Sequence, residues 1–203
     1  MTISQRELNR QYRVLKQILS MHTFLKDKYE RFALIIDIIL LICAVVFCAT
    51  TFIRDDVFTH IGLASQNVRF ILGITSIVAF LTSLITLRVG WKGKAALHKE
   101  AERKLTTVLE FFRELCNEDK TWPQEKSREL HNAYWEAMKN TIDVPANKFV
   151  GLKARHLRKV KLSTMLDDAP GSSVWLLRLI NLFRSSKKAL KMSDPDKKTD
   201  DKE

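Results

Sequence analysis

Asp37 is the one charged residue in the 22-residue run FALIIDIILLICAVVFCATTFI, residues 32–53. A carboxylate at the centre of a lipid-embedded helix costs on the order of 3 kcal/mol on insertion scales. Asp37 lies five residues into the run, roughly 7 Å deep at helical rise, where an N-terminal helix dipole would favour negative charge. In a symmetric oligomer, copies of Asp37 would form an acidic ring at the inner mouth, the device by which cation pores favour cations. The other reading is a local bond to a neighbouring Thr, to Arg31 or to Lys28. The second uncharged run, FILGITSIVAFLTSLITL (70–87), carries hydroxyls. At 100° per residue, Thr75, Ser76, Ala79, Thr82, Ser83, Thr86 and Gly90 fall within roughly 120° of one another. On the first run Ala33, Asp37, Ala44, Cys48 and Thr51 line up similarly. Such stripes either let helices approach closely or line a water-filled path in an oligomer. On the second reading the lining residues are Asp37, Thr75, Ala79, Thr82, Ser83 and Thr86.

A third chemistry lies in KFVGLKARHLRKVK (148–161), with six Lys or Arg and no acid. On a helix Lys148, Arg155, Arg158 and Lys159 share one side, away from Phe149, Leu157 and Val160. Charge-assisted hydrogen bonds from such a face suit phosphates, on a nucleotide or on anionic lipid. A merely solvated charge run is the plainer alternative. The segment 174–192 is also basic (Arg178, Arg184, Lys187, Lys188, Lys191), with Trp175, Leu179, Ile180, Leu182 and Phe183 opposite, and suits a membrane interface or a subunit contact. An enzyme is not expected. The sequence has no glycine-rich phosphate loop, no Cys-x-x-Cys and no His-Glu-x-x-His, and no cofactor is implied. His22 and His98 fall on packing faces, where a histidine is more often a core residue than a ligand. His98 and Glu102, one turn apart, could pair locally.

These residues need elements to position them. Both runs are long enough to span a bilayer. The 203-residue chain, net charge +11, holds too little other apolar material to enclose them. The first thirty residues are charged throughout and lack the apolar core of a secretory signal. Seven Lys or Arg precede the first run and six follow the second, against Arg54 and Arg69 in the connection 54–69. The positive-inside rule then puts both termini in the cytoplasm. Three cysteines, two of them inside the first run, point to a reduced compartment.

Apolar positions at Leu8, Tyr12, Leu15, Leu19, His22, Leu25 and Tyr29 repeat every three or four residues, and so do Trp91, Ala95, His98, Ala101, Leu105, Val108, Phe112 and Leu115. Two helices continuing out of the membrane as an antiparallel pair are expected. Thr121 is the expected N-cap of a helix buried through Leu130, Tyr134, Ala137 and Met138. TIDVP (141–145) ends it. Further helices are expected over 147–166 and 174–192, broken by DDAPGSS (167–173). The fold class is an all-α membrane protein, a two-span helical hairpin whose long helices extend into a cytoplasmic helical domain. Its parts are a helix over 1–31, spans 32–53 and 70–87, an external loop 54–69, a helical domain 88–192 and a solvated tail 193–203.

The layout from about Lys26 to Leu115 resembles the SLATT family, the two-transmembrane effector domains of bacterial nucleotide-signalling conflict systems. The likeness lies in the basic pre-membrane helix, the hairpin, and WKGKAALHKEAERKLTTVLEFF, whose Ala95, His98, Ala101 and Leu105 are similar to the family's Ala-x-x-His-x-x-Ala-x-x-x-(Tyr/Leu) run. Leu105 stands where an aromatic is common. The resemblance implies a pore-forming effector in the bacterial inner membrane, and the small-residue stripes with the heptad faces that run out of each span lead us to expect a homo-oligomer, a tetramer. It would be gated by a nucleotide or short oligonucleotide from a partner nucleotidyltransferase, and would depolarise the cell and abort phage infection. Hailong-type antiphage systems use such an effector. A membrane-anchored scaffold without a pore, or a holin-like lytic protein, are the other readings.

Overall fold

The computed structural model describes residues 3–52, 65–117 and 121–193, and among them every regular element is helical. Six α-helices follow in order: α1 (Gln5–Phe52), α2 (Ser65–Val89), α3 (Trp91–Glu114), α4 (Ser127–Lys139), α5 (Ala146–Asp168) and α6 (Val174–Ser193). The expected external loop and tail lie mostly outside the described residues. Where they are described they are helical: 65–69 open α2 and Ser193 closes α6.

No Pro or Gly falls within α1, so its 48 residues form one rod, about 72 Å long at 1.5 Å per residue. Asp37 is therefore deep inside a helix that starts at Gln5. The dipole of a helix N-terminus does not reach it, and its compensation comes from elsewhere. The other rod has one joint. Gly90, between α2 and α3, takes φ 61° and ψ 48°. This left-handed conformation is costly for a residue with a Cβ and open to glycine. Space does not demand the glycine, since a Cβ there would meet nothing within 4 Å. Hydrogen bonds from Gly90 N to Thr86 O and from Lys94 N to Gly90 O, both 3.0 Å, carry the chain across the joint.

Residues 1–143 form one compact unit and 144–203 another. The expected single domain over 88–192 is thus divided: α3 and α4 pack with the first half of α1, and α5 and α6 form a separate helical pair. The core of the first unit holds Leu8, Leu15, Leu105, Leu109, Phe112, Trp122, Leu130, Tyr134 and Ala137. These are largely the positions where the three-and-four spacing placed a buried stripe. Trp122 sits at the corner between α3 and α4. Its Nε1 donates to Phe112 O at 2.7 Å, and the Gln5 side chain bonds both its backbone N–H and its carbonyl. Thr121 does not cap the next helix. Its carbonyl accepts from Asn117 N at 2.8 Å, and a 3-10 turn (Gln124–Lys126) after Pro123 leads into α4. Pro123 lacks the N–H that a cap would serve and holds a φ suited to a helix start.

Candidate functional site

The α1–α2 seam brings together most of the expected pore-lining residues. Along α2 the partly covered positions are Val68, Leu72, Thr75, Ala79, Thr82, Thr86 and Val89, spaced three or four apart, on the side that meets α1. Ser83 is exposed. The hydroxyls of Thr75, Thr82 and Thr86 each donate to the carbonyl four residues back, to Ile71, Val78 and Thr82, at 2.8 Å. Each is satisfied within its own helix, so the stripe tolerates either an apolar seam or water. Within the apolar run of α1 Ala33 is buried and the partly covered positions are Ile36, Leu40, Cys43, Phe47 and Thr50. That side is one residue, about 100°, away from the small-residue stripe read from the sequence. Ala44 and Cys48 remain exposed within one chain.

Asp37 Oδ2 lies 2.8 Å from Lys92 Nζ. None of the partners expected from sequence, a threonine, Arg31 or Lys28, is the one it takes. Helical side chains lean toward their own N-terminus. In an antiparallel pair Asp37 therefore leans out of the apolar run and Lys92, in the first turn of α3, leans toward it. Copies of Asp37 in an oligomer would bring their lysines with them, so an inner ring would hold both signs.

The same geometry builds a second polar cluster inside the α1–α3 pair. His22 and His98 are buried and meet Nδ1 to Nδ1 at 2.9 Å. Tyr29 stacks on the His98 ring at 5.6 Å, and Trp91 lies against Tyr29 and Phe32. Glu102 leans the other way, accepting from Thr23 Oγ1 at 2.9 Å and pairing with Lys26 Nζ at 2.8 Å. It does not pair with His98 along its own helix. Burial, and then the neighbouring His98, lowers the His22 pKa to about 4, while the charge of Glu102 opposes the shift. Burial raises the Glu102 carboxyl, but the bonds from Lys26 and Thr23 outweigh it and leave the group below its ordinary value. The bond to Glu102 raises Lys26 in turn. The sequence held a signal for this cluster. His22 stands ten residues before Phe32 and His98 eleven after Leu87, level positions in an antiparallel hairpin.

The chain was compared with protein-family models, with curated proteins and with solved structures. No match was found in any of the three.

The basic face is on α5, in the second unit. Arg155, Arg158 and Lys159 are exposed and Lys148 is partly covered. Phe149, Leu157 and Val160 are also exposed. The buried residue of α5 is Leu152, which on the wheel falls beside Lys159, so α5 packs by the edge of its basic sector and leaves its apolar side open. A groove between α3 and α4 offers a contrast. Its walls carry Glu100, Arg103, Lys104 and Glu136, and Glu100 already pairs with Arg103 and Lys104 at 3.4 and 3.6 Å. A phosphate would find cations there engaged by a carboxylate. No cluster of three His, Cys, Asp or Glu is placed to hold a metal ion among the described residues.

Proposed function

We propose that this chain is a membrane-inserted, homo-oligomeric ion channel of the SLATT type, with α1 and α2 crossing the bacterial inner membrane and both termini in the cytoplasm. A nucleotide or short oligonucleotide, made by a partner nucleotidyltransferase, docks on Lys148, Arg155, Arg158 and Lys159 and shifts the closed–open balance. Opening depolarises the cell and aborts phage infection. The observation that carries this reading is the continuity of the two rods. The apolar stretches of α1 and of the α2–α3 rod are 6% and 0% buried, as suits lipid or further copies of the chain. α1 continues unbroken into the buried α1–α3 pair, and α2 joins it through Gly90 alone. A change in the arrangement of that pair would therefore be carried to the spans, and a ligand shifts the balance only by binding one state of the channel better than the other.

A scaffold that only anchors a helical module is the second reading. The inward turn of Thr75, Thr82 and Thr86 toward α1 favours it, as does the neutralisation of Asp37 by Lys92. Purified protein in a planar bilayer separates the two. The channel passes cation current, and Thr82→Leu with Thr86→Leu reduces it roughly tenfold by dewetting the path, with the protein still in the membrane. A parent that passes no current is a scaffold.

A further inference from the structure

The α6 helix has an apolar side that its own unit does not cover. Among its described side chains, Val174–Phe183, Leu177 and Asn181 are the buried ones, one turn apart on the side where α5 packs. Around the rest of the helix Trp175 is 71% exposed and Phe183 67%, and Leu176 and Ile180 are exposed as well. At 100° per residue these four spread over about 140°, centred roughly opposite the α5 contact. The apolar stretch Val174–Phe183 is ten residues long, half of what a bilayer crossing needs. Its surroundings are strongly basic. Residues 144–193 hold eleven Lys or Arg against Asp167 and Asp168, which is most of the net charge of the chain.

We infer that α6 lies in the interface of an anionic bilayer, with Trp175, Leu176, Ile180 and Phe183 seated below the headgroups, and Arg178 and the basic residues that follow Phe183 in the sequence drawn to the phosphates. Charge selects this occupant. A second copy of the unit would bring the same excess of positive charge to the contact and be repelled. A free nucleotide has no use for an apolar surface this wide. Anionic lipid satisfies both halves, since the aromatic and aliphatic side chains enter the acyl boundary while each Lys or Arg near the surface adds attraction. The inference rests on the α1 and α2 spans holding the chain at a membrane, and not on a pore or on nucleotide binding at α5.

The full chain, reconstituted in nanodiscs, provides the test. Fluorescence quenching by brominated acyl chains is compared between the parent and Trp175→Phe, so that the difference reports Trp175 alone. The expected result is strong quenching in discs of three parts phosphatidylcholine to one part phosphatidylglycerol, falling roughly twofold or more in pure phosphatidylcholine or at high salt. Leu176→Glu with Phe183→Glu, at exposed sites, is expected to abolish the quenching while helix content stays unchanged. Trp175 shielded from the brominated chains in both discs overturns the inference, as does quenching that ignores lipid charge. If the glutamate pair lowers the oligomeric mass and leaves lipid quenching as it was, the face is a subunit contact and the inference fails. Protein that does not stay with the discs at all instead refutes the spans of the function proposed above.

Discussion

The two halves of α1 belong to one helix and solve opposite problems. Residues 5–31 bury one stripe against α3 and α4 and leave charged residues outside, while residues 32–52 are apolar nearly all round and are barely covered. In the first half the covered residues are large, with Leu8, Leu15, Met21 and Leu25 almost fully enclosed. Some polar groups that enter this interface are paired across it, as His22 with His98 and Thr23 with Glu102, while Gln11 Oε1 and His22 Nε2 are buried without a hydrogen bond. In the second half the contact with α2 is thin, the Thr50 hydroxyl satisfies itself within a turn, and the one carboxylate reaches out to Lys92. Water makes the first half hide its apolar side, whereas lipid would make no such demand on the second, and its packing against α2 is correspondingly thin.

The largest test of this difference is a pair of truncations. Phe112 is fully buried against α1 and Leu41 is 65% exposed. Phe112→Ala is expected to destabilise the extramembrane helices by about 4 kcal/mol, read as a shift in urea unfolding of the protein in mild detergent. Leu41→Ala is expected to leave that transition unmoved. Equal effects would mean that the two halves unfold as a single packed body.

A smaller effect comes from pH. His22 has its pKa lowered to about 4 from 6.5. A base with a depressed folded-state pKa stabilises most where it is neutral in both states, above the unfolded value. The stability it contributes is full above pH 6.5 and is lost as pH falls toward 4, on the order of 3 kcal/mol in all. The groups facing it are His98, Glu102 and Tyr29, with Lys26 on the Glu102 carboxylate. Unfolding measured across this range should show the loss, and His22→Gln should flatten it. A parent profile that is flat from pH 7 to pH 4.5 would place water in the cluster.

Lys92→Met is the gentlest change. The Asp37–Lys92 pair is largely open within one chain, and pairs of this kind contribute about 1 kcal/mol or less in water. Little change in the urea transition is expected. The charge left on Asp37 should instead raise cation over anion selectivity, read as a shifted reversal potential in a salt gradient. An unshifted potential keeps Asp37 away from the path.

Much of the fold was legible because helical periodicity is strong where one side faces water. The stripes through Leu8, Leu15 and Leu25, and through Ala95, Ala101, Leu105 and Phe112, name their own buried side by spacing alone. Length and absence of charge marked the two apolar runs, and Pro145 and DDAPGSS marked the ends of α4 and α5. The basic character of 148–161 was equally plain, since charge needs no partner to be counted.

Where every position is apolar, periodicity has nothing to contrast, and the α1 side that meets α2 came out one residue from the small-residue stripe. Gly90 read as one more small residue on a face, because a left-handed φ leaves no trace in hydropathy. The amino-acid sequence by itself determined which segments are helical, which are long and apolar enough to cross a bilayer, and which sides are buried in water. Tertiary structure alone decided that Asp37 takes Lys92 and that Glu102 turns from His98 to Lys26 and Thr23. Both choices depend on the register of two antiparallel rods and on the opposite lean of their side chains, which bring within 3 Å residues that lie 55 and 76 positions apart in the chain.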